Sequence, residues 1–559
     1  KPTYHITVTG TVQGVGFRPF VYGAAKKYNL CGFVLNNGSG VEIEIQGESV
    51  QAERFIEELK QSPPPASVVD NLVVNRLDFP EDEFLDFIIR TSTAGPAKNT
   101  QVSVDLHVCE DCREELFDPA DRRYLYPFIN CTNCGPRFTI TGDIPYDRRN
   151  TTMEPFTMCR RCASEYEDPE DRRFHAQPDS CYECGPLLRL VSTADEGKEW
   201  TARTPEESKH LFQELAKALG RGEIVAIKGN GGFHLACDAL QEKAVKELRS
   251  RKRRPAKPLG LMFPDVDMVK TCCHLSPAEE ELLGSFRRPI VLLKRRKESE
   301  VAESVAAGHK ELGVMLPYTP VHLLLFHFSP NPLVMTSGNM SGSPILHRNE
   351  EAWERLSPVA DWICLHNRDI QMRCDDSVCR VERDTVYPVR RSRGWTPRPV
   401  VLDTPLNKQV LACGGELKNT FAVGRGNQVW MSQHIGDLEQ LSVEKAFEEG
   451  VDHFLNIFDV HPDLVACDLH PDYLSSKFGR TYAAQQDLEC VEVQHHHAHA
   501  VACMAENSIK EPVIALVCDG TGAGPDNSVW GGEVLIAKYD SYERAAWLEP
   551  LTMPGGAAA

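Results

Sequence analysis

Eight of the chain's 20 cysteines fall into four Cys-x2-Cys pairs, Cys109/Cys112, Cys131/Cys134, Cys159/Cys162 and Cys181/Cys184. Each pair offers two thiolates at knuckle geometry, and two knuckles close one tetrahedral Zn²⁺ site. Four sulfur ligands leave no open coordination position, so two structural zinc ions are expected. Which knuckles share an ion is not fixed by the spacing. A second group, Gln13, Gly14, Val15, Gly16 and Phe17 followed by Arg18, joins an apolar strand to a helix. A glycine-rich turn there can aim backbone N–H groups at a phosphate, and Arg18 can clamp the same anion. Lys252, Arg254 and Lys257 form a basic cluster between two apolar runs, a setting that suits a triphosphate. Ser337 and Asn339 follow a short strand, the place where open α/β sheets put ligands. Finally, His495 and His499 are four residues apart, so a helix sets both on one face as metal ligands. Asp519, expected where the strand Val513–Val517 ends, can add a carboxylate, and the glycines after it a turn for phosphate.

The elements that must hold these groups can be read from hydrophobic periodicity. Strand patterns at His5–Val8, Gly32–Leu35, Val41–Gln46, Leu72–Leu77 and Phe87–Arg90 are interleaved with helical patterns at Pro19–Tyr28 and Ser49–Lys60. That order is the split βαβ of a ferredoxin-like sandwich. Ser92–Thr100 and Ser192–Arg203 read as linkers around the cysteine region. Within that region Asp118-Pro-Ala-Asp-Arg-Arg-Tyr124 recurs as Asp168-Pro-Glu-Asp-Arg-Arg-Phe174, each copy between matching Cys-x2-Cys pairs. A fifty-residue period of this kind is the duplication of one small metal module, whose folding energy comes largely from the metal. From Glu206 the pattern turns α/β, with a further boundary at Leu402–Lys408. The domains expected are therefore 1–91, 92–190, 200–399 and 405–559, in a multidomain α/β and α+β chain.

Four resemblances follow from these residues. Val-Gln-Gly-Val-Gly-Phe-Arg18 followed by Gly32-Phe-Val-Leu-Asn36 resembles the acylphosphatase family, whose catalytic arginine and asparagine match Arg18 and Asn36. The resemblance implies that the loop and the arginine bind a phosphoryl group while the asparagine orients the attacking water. The Lys-x-Arg and Ser-x-Asn pairs resemble the YrdC-like family, which makes an acyl-adenylate from ATP and a carbamate-type substrate. Lys252, Arg254, Ser337 and Asn339 match its nucleotide and substrate contacts, and Arg373, Asp376, Arg391 and Arg393 fit the rest of that domain. His495, His499 and Asp519 match the metal ligands of the actin/Hsp70-like carbamoyltransferases. Their nitrogen donors favour iron or zinc over magnesium at that site. That fold needs two lobes, so the last domain is expected to be incomplete at Ala559.

In this order the parts resemble the HypF family, the carbamoyltransferases of NiFe hydrogenase maturation. The resemblance implies a relay with carbamoyl phosphate and ATP as substrates and Mg²⁺ beside the nucleotide. Carbamoyl phosphate is split to carbamate, carbamate becomes carbamoyl-adenylate with release of pyrophosphate, and the carbamoyl group passes to the C-terminal cysteine of a partner, HypE. Composition limits the alternatives. With 61 Lys+Arg against 80 Asp+Glu the net charge is −19, which opposes general binding to nucleic acid. Threonylcarbamoyl modification of tRNA, which uses related parts, is disfavoured by that charge and by the acylphosphatase-like front end. A non-catalytic zinc-ribbon scaffold would leave the Arg18/Asn36 and Lys252/Arg254 sets inert. No apolar run reaches the length of a membrane span and the start lacks a signal-peptide shape, so a cytoplasmic protein free of membrane and nucleic acid is expected.

Overall fold

A computed structural model of the chain describes residues 2–549 apart from 39, 65, 78–82, 93–100 and 196. The expected first linker thus lies mostly outside the described residues. Two compact units are present, one built from residues 1–398 with 457–459 and the other from 399–456 with 460–559.

The first unit opens with strand β1 (Thr3–Thr11), helix α1 (Phe17–Lys27), β2 (Cys31–Asn37), β3 (Gly40–Gln46), α2 (Ser49–Gln61), β4 (Val68–Leu77) and β5 (Phe87–Ile89). Their sheet order is β4-β1-β3-β2-β5, with β5 parallel to β2 and the other pairs antiparallel. The α1 face Phe17, Val21, Ala24 and Ala25 recurs at helical spacing and meets Ile6, Val8, Ile43 and Ile45 in one core. This is the ferredoxin-like sandwich, and it fixes the loop between β1 and α1 on a rigid frame.

The cysteine region carries α3 (Glu110–Phe117) and α4 (Arg160–Glu167), each preceded by a ligand cysteine as N-cap. The duplication extends to backbone detail, since Leu125 and His175, fifty residues apart, both adopt the left-handed region with φ 55° and 57°. Reciprocal arginines join the copies. Arg122 and Arg123 of the first pair with Glu165 on α4, while Arg172 and Arg173 of the second pair with Glu115 on α3.

Residues 188–192 and 199–202, β6 and β7, form a hairpin that joins the α/β sheet, so the stretch read as a linker contains a strand. The mixed sheet has eleven strands, and α5 (Pro205–Gly220) packs on it. Finger residues Leu116, Tyr126, Phe128 and Ile129 share a core with Leu211, Leu215, Met262, Met315 and Leu324. Fingers and α/β region are therefore packed as one body.

The second unit has a six-stranded mixed sheet flanked by helices at Leu441–Ile457 and Leu474–Gln486. The helix His495–Glu506 follows, then an antiparallel sheet of Val513–Ala523, Val529–Ala537 and Tyr542–Trp547. The first of these strands runs past Asp519 through a register shift between Cys518 and Gly522. Asp519 thus stands on an irregular stretch of strand and not at a strand end. Among the described residues no helix is long and apolar enough to cross a membrane.

Candidate functional site

The β1–α1 loop carries Gly14 and Gly16 at φ 72° and 74°. The left-handed region favours glycine at both, and Gly14 has a second constraint. A Cβ there would stand 3.0 Å from the Tyr146 ring, so the loop and the finger region are fitted to each other. Gln13 fixes the loop by donating from Nε2 to the Asn37 and Gly40 carbonyls, both at 2.9 Å, and accepting from the Tyr146 N–H at 3.1 Å. Phe17 and Val15 anchor it in the core. The N–H groups of the first helical turn have no acceptor within a helix, which makes this end of α1 suited to an anion.

Arg18 is buried on α1, and its Nε and Nη2 reach the Asn36 amide oxygen at 3.0 and 3.2 Å in the amide orientation that hydrogen bonding requires. Its remaining donors meet Ser92 Oγ at 3.2 Å and Asp147 Oδ1 at 3.5 Å. The cavity in front of Arg18 and Asn36 measures about 20 Å³ and is roofed by Thr132, Arg137, Tyr146, His175 and Gln177 of the fingers. Arg137 Nε donates to the Gly14 carbonyl, and its Nη2 to the Thr132 carbonyl at 2.9 Å. Burial, and then the Arg18 charge, push the His175 imidazole down to about 3, so it is neutral at physiological pH. The roof was not legible in the sequence, because it joins residues more than 100 positions apart without a shared motif.

Both cysteine tetrads assemble within a single repeat. Sγ–Sγ distances are 3.6, 3.8 and 3.5 Å around Cys109, Cys131, Cys134 and Cys112, and 3.8, 3.9 and 3.6 Å around Cys159, Cys181, Cys184 and Cys162. A tetrahedron with ~2.3 Å bonds has edges of about 3.8 Å, so the donor sets fit zinc. Arg172 Nη1 donates to Cys112 Sγ at 3.2 Å, and Arg122 Nη2 donates to Cys162 Sγ at 3.2 Å. Each thiolate set thus receives a charged donor from the other repeat.

In the α/β region a cavity of about 310 Å³ is lined by His234, Arg254, Ser337, Asp375, Asp376 and Arg390 among others. Lys252, fully buried at the end of α6 (Glu242–Lys252), bonds the Ser337 carbonyl and the Asn339 carbonyl and Oδ1, the latter two at 2.8 and 2.7 Å. Ser337 Oγ donates to Asn339 Oδ1 at 2.7 Å. Burial and then the neighbouring Arg254 lower the Lys252 ammonium to about 7. Burial opposes ionisation of Asp376, but Arg393 and then His234 outweigh it and hold its carboxyl well below the ordinary carboxylate range. Arg393 reaches Asp376 Oδ1 at 2.7 Å and His234 Nε2 reaches Oδ2 at 2.9 Å. Of the residues expected here only Arg254, Ser337 and Asp376 line the cavity; Lys252, Asn339 and Arg393 stand behind them, and Lys257, Arg373 and Arg391 do not line it. Lys257 is exposed, Arg373 is half-buried, and Arg391 Nη2 donates to the Arg398 carbonyl at 2.5 Å. Sequence reasoning missed His234, which neighbours none of the motifs, and Arg390, which directly precedes Arg391.

The histidine run divides by function in the second unit. His496 and His497 are buried and bond the Gly531 and Lys538 carbonyls at 2.8 and 2.7 Å. His495 and His499 bring their Nε2 atoms to 3.3 Å, with Asp519 Oδ2 at 2.8 and 3.5 Å respectively. One donor atom from each lies within 4.8 Å of the others, a set that fits a transition metal. Asp468, unmarked by any sequence motif, meets His495 Nδ1 at 2.6 Å. A carboxylate there requires Nδ1–H, which leaves the Nε2 lone pair for a metal.

Comparison with known proteins matches each of these regions. The acylphosphatase family model fits residues 4–89, and the HypF finger model fits 108–141 and 158–191. The Sua5/YciO/YrdC model, described as telomere recombination, fits 217–392. The HypF Kae1-like domain and the second subdomain of the carbamoyltransferase Kae1-like domain fit 405–506 and 515–559. The carbamoyltransferase HypF2 of Cupriavidus necator is 45% identical over 99% of this chain and 69% of its own length. The carbamoyltransferase HypF of Synechocystis sp. is 44% identical over 99% of this chain and 70% of its own length. A crystal structure of full-length HypF in the phosphate- and nucleotide-bound form superposes with a TM-score of 0.91 at 48% identity, covering 97% of this chain and 70% of that one. With such identity along nearly its whole length, the chain belongs to the HypF carbamoyltransferase family.

Proposed function

We propose that this chain serves hydrogenase maturation as a carbamoyl relay, with each step carried by one of the residue sets above. In the front pocket the loop 13–17 and Arg18 hold the phosphoryl group of carbamoyl phosphate, and Asn36 orients a water molecule. Attack of that water on phosphorus breaks the P–O bond to the carbamoyl group and yields carbamate and inorganic phosphate. In the α/β cavity the carbamate oxygen attacks the α-phosphorus of ATP, which arrives with Mg²⁺, and pyrophosphate leaves. Arg254, Lys252, Ser337 and Asn339 bind the nucleotide, while Arg393 holds Asp376 in place. The third step takes the carbamoyl group to a cysteine thiolate at the C-terminus of a partner of the HypE type, with AMP as leaving group, in the cytoplasm. His495, His499 and Asp519 would hold the metal of that site, iron or zinc, which supplies Lewis acidity when bound. The two finger zincs hold structure.

The observation that carries this reading is the Arg18–Asn36 pair beside the glycine loop, set under a finger roof. Carbamate decomposes in water, so release into a covered space keeps it available for the next step. Arg18→Ala is expected to abolish phosphate release from carbamoyl phosphate while zinc remains at two ions per chain. ATP–pyrophosphate exchange is expected only when carbamoyl phosphate is present. Full phosphate release by the Arg18 variant, or exchange without carbamoyl phosphate, would overturn the assignment.

A further inference from the structure

Residues 135–158 separate the ligands of the two cysteine tetrads and hold neither ion. Within this spacer Asp147 reaches the front site. Its Oδ1 stands 3.5 Å from Arg18 Nη2 and accepts from Ser92 Oγ at 3.2 Å, and Ser92 Oγ in turn accepts from Arg18 Nη1 at 3.2 Å. Among the described residues Asp147 is the one carboxylate within 4.0 Å of Arg18, which is buried. Neither Asp147 nor Ser92 lines the cavity in front of Arg18, so both act on the guanidinium from outside it. Nε and Nη2 also meet the Asn36 amide oxygen, so four of the five guanidinium N–H groups are taken and one on Nη1 is left for a ligand. Asp147 is itself fixed through both chain neighbours. The Tyr146 N–H donates to Gln13 Oε1 of the front loop at 3.1 Å, and the Arg148 N–H donates to Gln177 Oε1 of the second repeat at 2.8 Å. Arg148 Nη1 adds bonds to the Gln177 and Asp179 carbonyls at 2.6 and 2.9 Å.

We infer that Asp147, supplied by the finger region, is a positioning residue for phosphoryl transfer at Arg18, with Ser92 as its bridge; this rests on the front-pocket reaction proposed above. A buried guanidinium without a counter-charge is costly. Asn36 and Ser92 hold two edges of Arg18 through neutral bonds, and Asp147 supplies the charge that fixes its plane. That fixing matters unequally along the reaction. The loop N–H groups grip a phosphoryl dianion in the ground state and the transition state alike. The free N–H of Arg18 must meet an equatorial oxygen of five-coordinate phosphorus, so a guanidinium that wanders loses rate more than binding. The Asp147 charge also opposes a dianion in the pocket, which favours release of the product phosphate.

The nearly isosteric Asp147→Asn removes the charge alone. It is expected to lower kcat for phosphate release from carbamoyl phosphate by about tenfold or more, while KM stays equal or falls. Calorimetry of the full chain with orthovanadate, which mimics five-coordinate phosphorus, and with inorganic phosphate gives a second readout. The variant is expected to lose about tenfold or more in vanadate affinity relative to phosphate affinity. Ser92→Ala is expected to move the same ratio in the same direction by about threefold, and it decides the question if Asp147→Asn does not retain two zinc ions. An unchanged ratio would overturn the role of Asp147. So would an equal fall in vanadate and phosphate affinity, the mark of a loosened fold. Absence of phosphate release from carbamoyl phosphate by the unaltered chain would instead overturn the front-pocket reaction, and the vanadate ratio would still decide the role of Asp147.

Discussion

Lys252 is held between protonation states by its surroundings. Its three acceptors favour the ammonium, but burial and Arg254 bring it down to about 7. A phosphate bound beside it restores the charge, so nucleotide binding is expected to take up protons. With a free value of about 7, uptake approaches about 0.9 proton at pH 8 and falls to about half at pH 7. Calorimetry in buffers of different ionisation enthalpy measures this directly, and a slope of zero at pH 8 would contradict it. Asp468 gives a second prediction at this scale. Once zinc fills the fingers, Asp468→Ala is expected to weaken Co²⁺ binding at His495, His499 and Asp519 by about 10–100-fold, read from ligand-field absorption free of thiolate bands. Arg18, Asn36 and the paired His495 and His499 were legible because local motifs carry them. Asp468, Arg137 and His234 were not, since each earns its place through a contact made only on folding.

The same division holds for elements. The strands and helices that frame Arg18 follow from alternation and helical spacing, whereas the finger helices, eight residues each, carry too short a pattern, and only their fifty-residue repeat was legible. The hairpin of β6 and β7 was hidden because its second strand is only four residues long, Glu199–Ala202, and is held by pairing along the sheet edge. Repeat identity revealed the duplication but not its crosswise chemistry. Each arginine pair serves the helix of the opposite copy, and Arg172 reaches the Cys112 thiolate of the first ion. Arg172→Ala is therefore expected to speed chelator removal of the ion in the first repeat about tenfold. Arg122→Ala should do the same to the second. Alkylation of the released cysteines, located by mass spectrometry, distinguishes this crosswise effect from general loosening, which would expose both tetrads equally.

On the scale of the whole molecule, the fingers and the α/β region share one core, and the fingers also roof the front pocket. Sequence patterns supplied the order of the parts but not this arrangement, which depends on Phe128 and Ile129 packing beside Met262 and Met315. In the relay proposed above the first two stations lie in one packed unit, so passing an unstable ion between them would need no large motion, and its efficiency should be insensitive to viscosity. The roof is placed where it could act as a sieve. Enzymes that recognise a small group can reject larger ones only by excluding them, because a small group has few atoms to grip. Tyr146, pressed against Gly14, sets the clearance above Arg18 and Asn36. Tyr146→Ala is expected to raise hydrolysis of benzoyl phosphate about tenfold or more relative to carbamoyl phosphate, measured as the ratio of the two kcat/KM values. Thus a zinc module that supplies the pocket's roof but neither Arg18 nor Asn36 would decide which metabolites the enzyme ignores, and protect a cell's other acyl phosphates from a hydrolase that has no means of telling them apart by their phosphate end.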